Sequence, residues 1–267
     1  MKKVGLLAGI GRLPVEFARA ARGMGFSVIA VAMVPGVDDE LSQVVDKFHP
    51  ISIGQLNTII TTLRTEGVTE VTMLGKVTKE FLFSGTVPMD NRIRQMFAGL
   101  QDNSDDTIMM AFVRELACDG IRVFDQTALI RSLMPAPGVL TQREPSVAEQ
   151  ADMEFGFKMA KAIGGLDIGQ TVVVKNLAVM AVEAIEGTDV CIRRGGQLSR
   201  GGATVAKVAK PEQDSRFDVP AVGLNTIEAM CEAKATALVI EAGKTLVVER
   251  EKVIKMADDN GITIVAM

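Results

Sequence analysis

Lys3-Val4-Gly5-Leu6-Leu7-Ala8-Gly9-Ile10-Gly11-Arg12-Leu13-Pro14 opens the regular structure of the chain and decides how the rest is read. Residues 3–8 are apolar enough for a buried strand, and 13–24 carry the periodicity of an amphipathic helix closed by Gly25. The β-rich run 27–33 follows, so strand, helix and strand succeed one another as they do in a parallel α/β unit. The glycines between strand and helix leave two readings open. One is a tight turn with Pro14 in the first turn of the helix. The other is an anion site, because glycine lets backbone approach a phosphate and the helix N-terminus supplies N–H donors. A dinucleotide fingerprint is disfavoured: it wants a third glycine where Pro14 stands and an acidic residue where Met33-Val34-Pro35 ends the second strand.

The alternation continues outward. Residues 55–66 read as a helix stopped by Gly67, 70–74 as a third strand, 90–100 and 106–119 as helices, and 121–124 as the next strand. The pattern then lapses. Pro135, Pro137 and Pro145 fix φ and forbid regular pairing, which puts a domain linker at 134–146. Beyond it, 147–163 is a helix ended by Gly164-Gly165, and 171–175 and 178–184 are strands joined at Asn176 as a hairpin. A turn at Glu186-Gly187-Thr188-Asp189 leads to a short helix, and 195–202 reads as a flexible glycine-rich loop. Strand 204–209, irregular segment 216–223, helix 226–234, strands 237–240 and 245–248, helix 250–260 and strand 262–266 complete the chain. No internal repeat relates the halves. The expected fold is α/β in two domains: a Rossmann-like parallel sheet with helices on both faces over 1–133, and a mixed α/β domain over 147–267.

The 267 residues are 48% hydrophobic and 23% charged, an ordinary globular balance. A net charge of −4 argues against nucleic acid, whose binding rests on phosphate neutralisation. There is no Trp or Tyr on which bases could stack, and the 15 Met residues read as adaptable packing. Cys118, Cys191 and Cys231 stand apart, with neither zinc-ligand spacing nor a closed disulfide set. The apolar start is interrupted at Gly9-Ile10-Gly11-Arg12, unlike a signal peptide, and no run approaches the ~20 apolar residues of a membrane span. These features point to a reduced, soluble, cytoplasmic protein.

Several groups carry chemistry. Asn103-Ser104-Asp105-Asp106 is an N-cap sequence whose carboxylates could also face a metal. His49, the single histidine, sits beside Pro50 with no nucleophile elbow to serve, so Ser/His/Asp and Cys/His mechanisms are set aside. The C-terminal half is richer: Glu183, Glu186 and Asp189 follow an apolar strand, Arg193-Arg194 come next, Lys207 and Lys210 flank a short apolar segment, and Asp218 lies between Phe217 and Val219-Pro220. Carboxylates hold hard divalent cations while Arg and Lys bind diphosphate oxygens, a combination suited to phosphoanhydride cleavage. Surface ion pairs and a turn-forming Asp before Pro are the plain alternatives.

Read as strings, these segments resemble the LpxI family, the UDP-2,3-diacylglucosamine pyrophosphatases of lipid A biosynthesis. The likeness runs through Gly5–Pro14 as quoted, Leu74-Gly75-Lys76-Val77, Asp105-Asp106, Leu166-Asp167-Ile168-Gly169-Gln170 and Val182-Glu183-Ala184-Ile185-Glu186-Gly187-Thr188-Asp189. It continues in order through Lys207-Val208-Ala209-Lys210-Pro211, Asp218-Val219-Pro220-Ala221-Val222-Gly223 and Glu241-Ala242-Gly243. The resemblance implies Mg²⁺-dependent hydrolysis of UDP-2,3-diacylglucosamine to 2,3-diacylglucosamine 1-phosphate (lipid X) and UMP, water attacking the α-phosphorus; Mn²⁺ is left open as an alternative ion. It implies a homodimer, with substrate enclosed between two domains and transient contact at the inner-membrane surface.

The family's critical aspartate falls on Asp218, expected to position the metal or the attacking water. Glu183, Glu186 and Asp189 are the further metal candidates. Arg193, Arg194, Lys207 and Lys210 are expected at the diphosphate, joined by Lys76 and Thr188 from the resembling strings, while Gly9 and Gly11 let the N-terminal domain close over the nucleotide. The acyl chains call for an apolar wall of Met and Phe, and their burial at about 0.8 kcal/mol per CH₂ would slow product release. Two other functions compete: a non-catalytic lipid- or nucleotide-sugar-binding protein of the same fold, and an NAD-linked oxidoreductase.

Overall fold

The structure, a computed structural model, describes residues 1–78, 81–82, 87–102, 104–211 and 213–267, with Asp105 described by its backbone. It divides into two compact units: Met1–Ile130 with Ser215–Phe217, and Arg131–Asp214 with Asp218–Met267.

In the first unit, β1 (Lys3–Ala8), β2 (Ser27–Ala32), β3 (Lys47–Pro50), β4 (Glu70–Leu74) and β5 (Arg122–Val123) form a parallel sheet in the order β3-β2-β1-β4-β5. Every β1 residue after Lys3 is buried, and so is every β2 residue after Ser27, as expected of strands covered on both faces. Helix α1 (Leu13–Gly23) turns Val15, Phe17, Ala18 and Ala21 inward. Phe17 is fully buried and meets Phe124 at 6.4 Å between ring centroids. Such burial contributes roughly 2–3 kcal/mol.

Helices α2 (Leu41–Val44), α3 (Leu56–Thr65), α4 (Asn91–Ala98) and α5 (Asp105–Cys118) follow. Ser104 caps α5 by accepting the Thr107 N–H, so the N-cap reading of that segment holds. Asn103 and the Asp105 side chain lie outside the described residues. The short edge strand β3 was not expected. Its Pro50 has no N–H to donate, which an edge position tolerates. His49 on it lies 3.4 Å from Glu66.

In the second unit, β6 (Gly138–Val139), β7 (Thr171–Lys175), β8 (Ala178–Val182), β9 (Thr204–Lys207), β11 (Ala237–Ile240) and β13 (Thr263–Ala266) form a mixed sheet ordered β6-β13-β11-β9-β7-β8. Strands β9, β11 and β13 run parallel, whereas β7 is antiparallel to both β8 and β9. A separate parallel pair joins β10 (Ala221–Val222) to β12 (Leu246–Val247). The helices are α6 (Val147–Gly165), α7 (Thr188–Ser199), α8 (Leu224–Glu232) and α9 (Arg250–Asp259). The expected hairpin is present. Asn176 and Leu177 both adopt positive φ (51° and 58°), the type I′ geometry that matches strand twist. Buried Asp152 of α6 accepts the N–H groups of both turn residues, at 2.9 and 2.6 Å.

Two expectations are corrected here. Residues 195–199 are the last turns of α7, not part of a loop. Gly195 and Gly196 are there for space: a Cβ would stand 2.5 Å from Val173 and 2.4 Å from Ala233. The prolines at 134–146 do not forbid pairing throughout. Gly138–Val139 pairs antiparallel with β13 at the sheet edge, where only one side of a strand needs partners. Leu140 donates to the Ile264 carbonyl, and Arg143 forks onto Glu149 at 2.8 and 2.9 Å. Ser146 and Glu149 complete a capping box on α6. Among the described residues no helix is long and apolar enough to cross a membrane.

Candidate active site

The parallel strands of the second unit end together, and the antiparallel hairpin brings its open end to the same edge. Thr171, at the start of β7, is in register with Lys207, the last residue of β9, and Lys207 with Ile240 of β11. Val182, the last residue of β8, pairs with Val172, so Glu183 emerges at this edge too. The carboxyl ends of strands in an open α/β sheet are where ligands bind, because helix N-termini and loops converge there.

Glu183 is buried, and its backbone N–H bonds the Thr171 carbonyl. Its carboxylate accepts the Thr188 hydroxyl at 2.9 Å and the Gln170 N–H at 3.3 Å, and the Thr171 and Thr188 hydroxyls lie 3.3 Å apart. Thr188 is the first residue of α7, whose N-cap Gly187 has φ 82° and ψ 169°, a conformation open to glycine and costly for side-chain residues. A carboxylate held at that end also benefits from the helix dipole.

Lys207 is buried, and its ammonium donates to the Ala221 carbonyl at 2.8 Å. Burial pushes this lysine below its ordinary pKa, while Glu183 and Asp189 lie within electrostatic reach and pull it back up. Ala221 opens β10, three residues after Asp218. The Asp218 N–H bonds the Asp214 carbonyl at 2.9 Å, Asp218 is half-buried and Pro220 is buried. One residue past Lys207 and Val208, Ala209 donates its N–H to buried Glu241 at 3.0 Å. Lys161 reaches the same carboxylate at 3.0 Å and Lys244 at 2.9 Å. Burial works against Glu241's charge, but Lys244 and Lys161 hold its carboxyl below the usual range.

The edge therefore brings together Glu183, Thr188, Asp189 and Lys207, with the Asp218 segment attached through Ala221. Other expected residues are engaged with partners of their own. Glu186 is paired with Arg194, which also donates to the Val182 carbonyl, and its carboxyl is held low by its own backbone N–H and then by Arg194. Arg193 pairs with Glu232. Lys210 contacts Asp167 at 2.6 Å. Among the described residues no group of three or more His, Cys, Asp or Glu is arranged to hold a metal ion, so Asp218, Glu183, Glu186 and Asp189 do not form a preformed cage. A single carboxylate completed by phosphate oxygens is a mode magnesium also uses, and Asp218 fits that donor chemistry.

In the first unit, Gly9 and Lys76 meet through backbone. Gly9 donates to the Leu74 carbonyl, and Ile10 and Lys76 exchange both N–H groups at 2.9 and 2.7 Å. A Cβ on Gly9 would stand 2.7 Å from the Lys76 carbonyl oxygen, and Gly75 packs against it at φ +91°. Strand order reverses between β1 and β4, the place where a dinucleotide would enter. Backbone bridges close that crevice, which further disfavours the NAD reading. Gly11, at φ +116°, is exposed and has open space before it.

Gln170 and Glu241 fell within the resembling strings without being given a role, and Thr171 and Lys161 were not singled out at all as members of this edge. Glu241 had a signal, a lone charge closing the apolar strand Ala-Leu-Val-Ile.

What the fold and edge define is an α/β protein of two units with an acid- and lysine-rich site at the carboxyl ends of its mixed sheet. The chain belongs to the LpxI family: the LpxI N-terminal domain matches residues 3–133 and the LpxI C-terminal domain residues 136–265. The UDP-2,3-diacylglucosamine pyrophosphatase LpxI of Caulobacter vibrioides is 32% identical over 281 aligned positions, covering 100% of this chain and 98% of that protein. Among solved structures, N5-carboxyaminoimidazole ribonucleotide synthetase from Thermotoga maritima matches 59% of this chain at 16% identity and TM-score 0.29. Glycinamide-RNase-transformylase T from Mycobacterium tuberculosis matches 52% at 15% identity and TM-score 0.26. The chain spans 37% and 38% of those two proteins.

Proposed function

We propose that this protein hydrolyses the diphosphate of UDP-2,3-diacylglucosamine to lipid X and UMP. The observation that carries the reading is likeness along the whole chain, at 32% identity, to a relative named for that activity. In the reaction, water adds to one phosphorus of the diphosphate, the bond from that phosphorus to the bridging oxygen breaks, and the other phosphate leaves with the electron pair, giving lipid X and UMP. The Asp218 carboxylate orients the attacking water. Arg193, Arg194 and Lys210 are the donors offered to the phosphate oxygens. Mg²⁺, or Mn²⁺ in its place, would be held by Asp218 with the substrate's own phosphate oxygens, and when bound it polarises the phosphorus centre. The first unit is read as Rossmann-like in strand order without that fold's dinucleotide fingerprint. A cytoplasmic homodimer that touches the inner-membrane surface to collect its diacyl substrate completes the proposal.

The test is UMP release from UDP-2,3-diacylglucosamine in Mg²⁺, Mn²⁺ or EDTA, by the wild type and by Asp218→Asn. Release that depends on metal and falls ~100-fold or more in the folded variant is expected. ¹⁸O from labelled water enters UMP on attack at the α-phosphorus and lipid X on attack at the β-phosphorus, so the label identifies the bond that breaks. A protein inert under every condition would be a binding protein instead, and full activity in EDTA would remove the metal.

A further inference from the structure

We propose that Lys207 is a positioning residue of this site, whose buried ammonium fixes the Asp218-Val219-Pro220-Ala221 segment by gripping the Ala221 carbonyl. The inference rests on the reading that Asp218 acts in hydrolysis, and it gives Lys207 a different task from the diphosphate contact that its sequence neighbourhood suggests.

The Lys207 backbone is held on both sides, in register with Thr171 of β7 and Ile240 of β11. Its stem is buried, so the ammonium has a defined origin and reaches the Ala221 oxygen at 2.8 Å. The preceding carbonyl, Pro220, accepts the Leu246 N–H at 2.9 Å. Two consecutive carbonyls are thus pinned, one by β12 and one by Lys207.

Little freedom remains between that clamp and the aspartate. Pro220 has a fixed φ, and Val219 before it is confined to extended conformations. On the other side, the Asp218 N–H is tied to the Asp214 carbonyl. Displacing the Ala221 carbonyl would therefore be transmitted to the Asp218 carboxylate.

The chemistry of the environment agrees. An ammonium out of water is costly, and an apolar side chain would fill the same volume at less cost. Glu183 and Asp189 supply the compensating charge, and Thr188 and Gln170 hold Glu183 in place. That many groups support a cation whose hydrogen bond goes to a main-chain oxygen, so the segment's position is what the arrangement secures.

The experiment replaces Lys207 by Met, which keeps length and removes the donor, and by Gln, which keeps a donor on a shorter stem. Amide exchange over residues 218–222 is followed by mass spectrometry alongside kcat and KM for UMP release. In Lys207→Met, exchange in this segment should rise ~10-fold or more. The kcat should fall ~10-fold or more with KM within about 3-fold, and Lys207→Gln should recover part of both. If Lys207→Met does not fold, Lys207→Gln is read against the wild type on the same scales.

Unchanged exchange and kcat in a folded variant would overturn the inference. So would a raised KM at constant kcat, the signature of a substrate contact. A wild type that releases no UMP would overturn the proposed reaction instead, and the exchange measurement would still judge the clamp.

Discussion

Thr188 donates its hydroxyl to the Glu183 carboxylate at 2.9 Å, and so ties the first residue of α7 to the residue that follows β8. The bond spans the exposed Ala184-Ile185 turn and holds a buried acid where the sheet edge ends. Thr188→Val keeps the shape and removes the donor. It should cost about 1–3 kcal/mol, because a buried charged acceptor loses a partner, whereas Thr188→Ser should stay within about 1 kcal/mol of wild type. Urea unfolding midpoints at constant m-value decide it. A Val variant as stable as wild type would mean that Glu183 draws no net support from this hydroxyl.

The second prediction concerns acid stability. Burial opposes the charge on Glu149, but Arg143 and the Ser146 cap outweigh it and hold the carboxyl at about 2. The folded value lies below the ordinary 4.5, so the stabilisation is present above pH 4.5 and is lost as pH falls from there toward 2. Screening by nearby water trims the contribution to about 1–2 kcal/mol. Glu149→Gln should therefore be less stable than wild type by that amount at pH 7, with the gap narrowing toward pH 3. Guanidinium titrations at both pH values test this. A gap that widened in acid would have the wrong sign.

The third prediction separates two glycines. A Cβ on Gly9 would meet the Lys76 carbonyl oxygen at 2.7 Å and the Gly75 carbonyl carbon at 2.8 Å, both of them backbone. Gly9→Ala should destabilise by about 1–3 kcal/mol and lower Tm by several degrees. Gly23, the last residue of α1, has nothing within 4 Å, and Gly23→Ala should be neutral or stabilising by a few tenths of a kcal/mol up to about 1. Calorimetry on the pair is sufficient. An unchanged Tm for Gly9→Ala would mean that the first turn's glycine is there for a ligand's approach and not for the strand bridge.

The legible parts of the fold were those where local pattern and tertiary demand coincide. Ala8-Gly9-Ile10-Gly11 marked a strand turning into a helix, and Asn176 marked a hairpin, because each requires a backbone conformation that few residues adopt. Gly195-Gly196 misled for the opposite reason. Glycine usually signals a turn, whereas these two admit Val173 and Ala233 against a helix, a demand set by residues far along the chain. The edge strands Lys47–Pro50 and Gly138–Val139 are too short and too rich in proline neighbours to show a period. At the site, the likeness of strings singled out Asp218, while Glu241 and Lys161 are 80 residues apart and meet only through the fold. Spacing along the chain carries no trace of such a pair.

Ser215–Phe217 belongs to the first unit although Asp214 and Asp218 belong to the second. Within that first unit, Gln126 donates to the Ser215 carbonyl at 3.0 Å and Arg216 reaches the Met110 sulfur at 3.1 Å. The two units are therefore not two consecutive lengths of gene. A recombination that exchanged everything after Ile130 would also replace three residues of the unit it meant to preserve, and with them the peptide bond that enters Asp218. Shuffling halves between relatives would work only where that short return visit is compatible with its host.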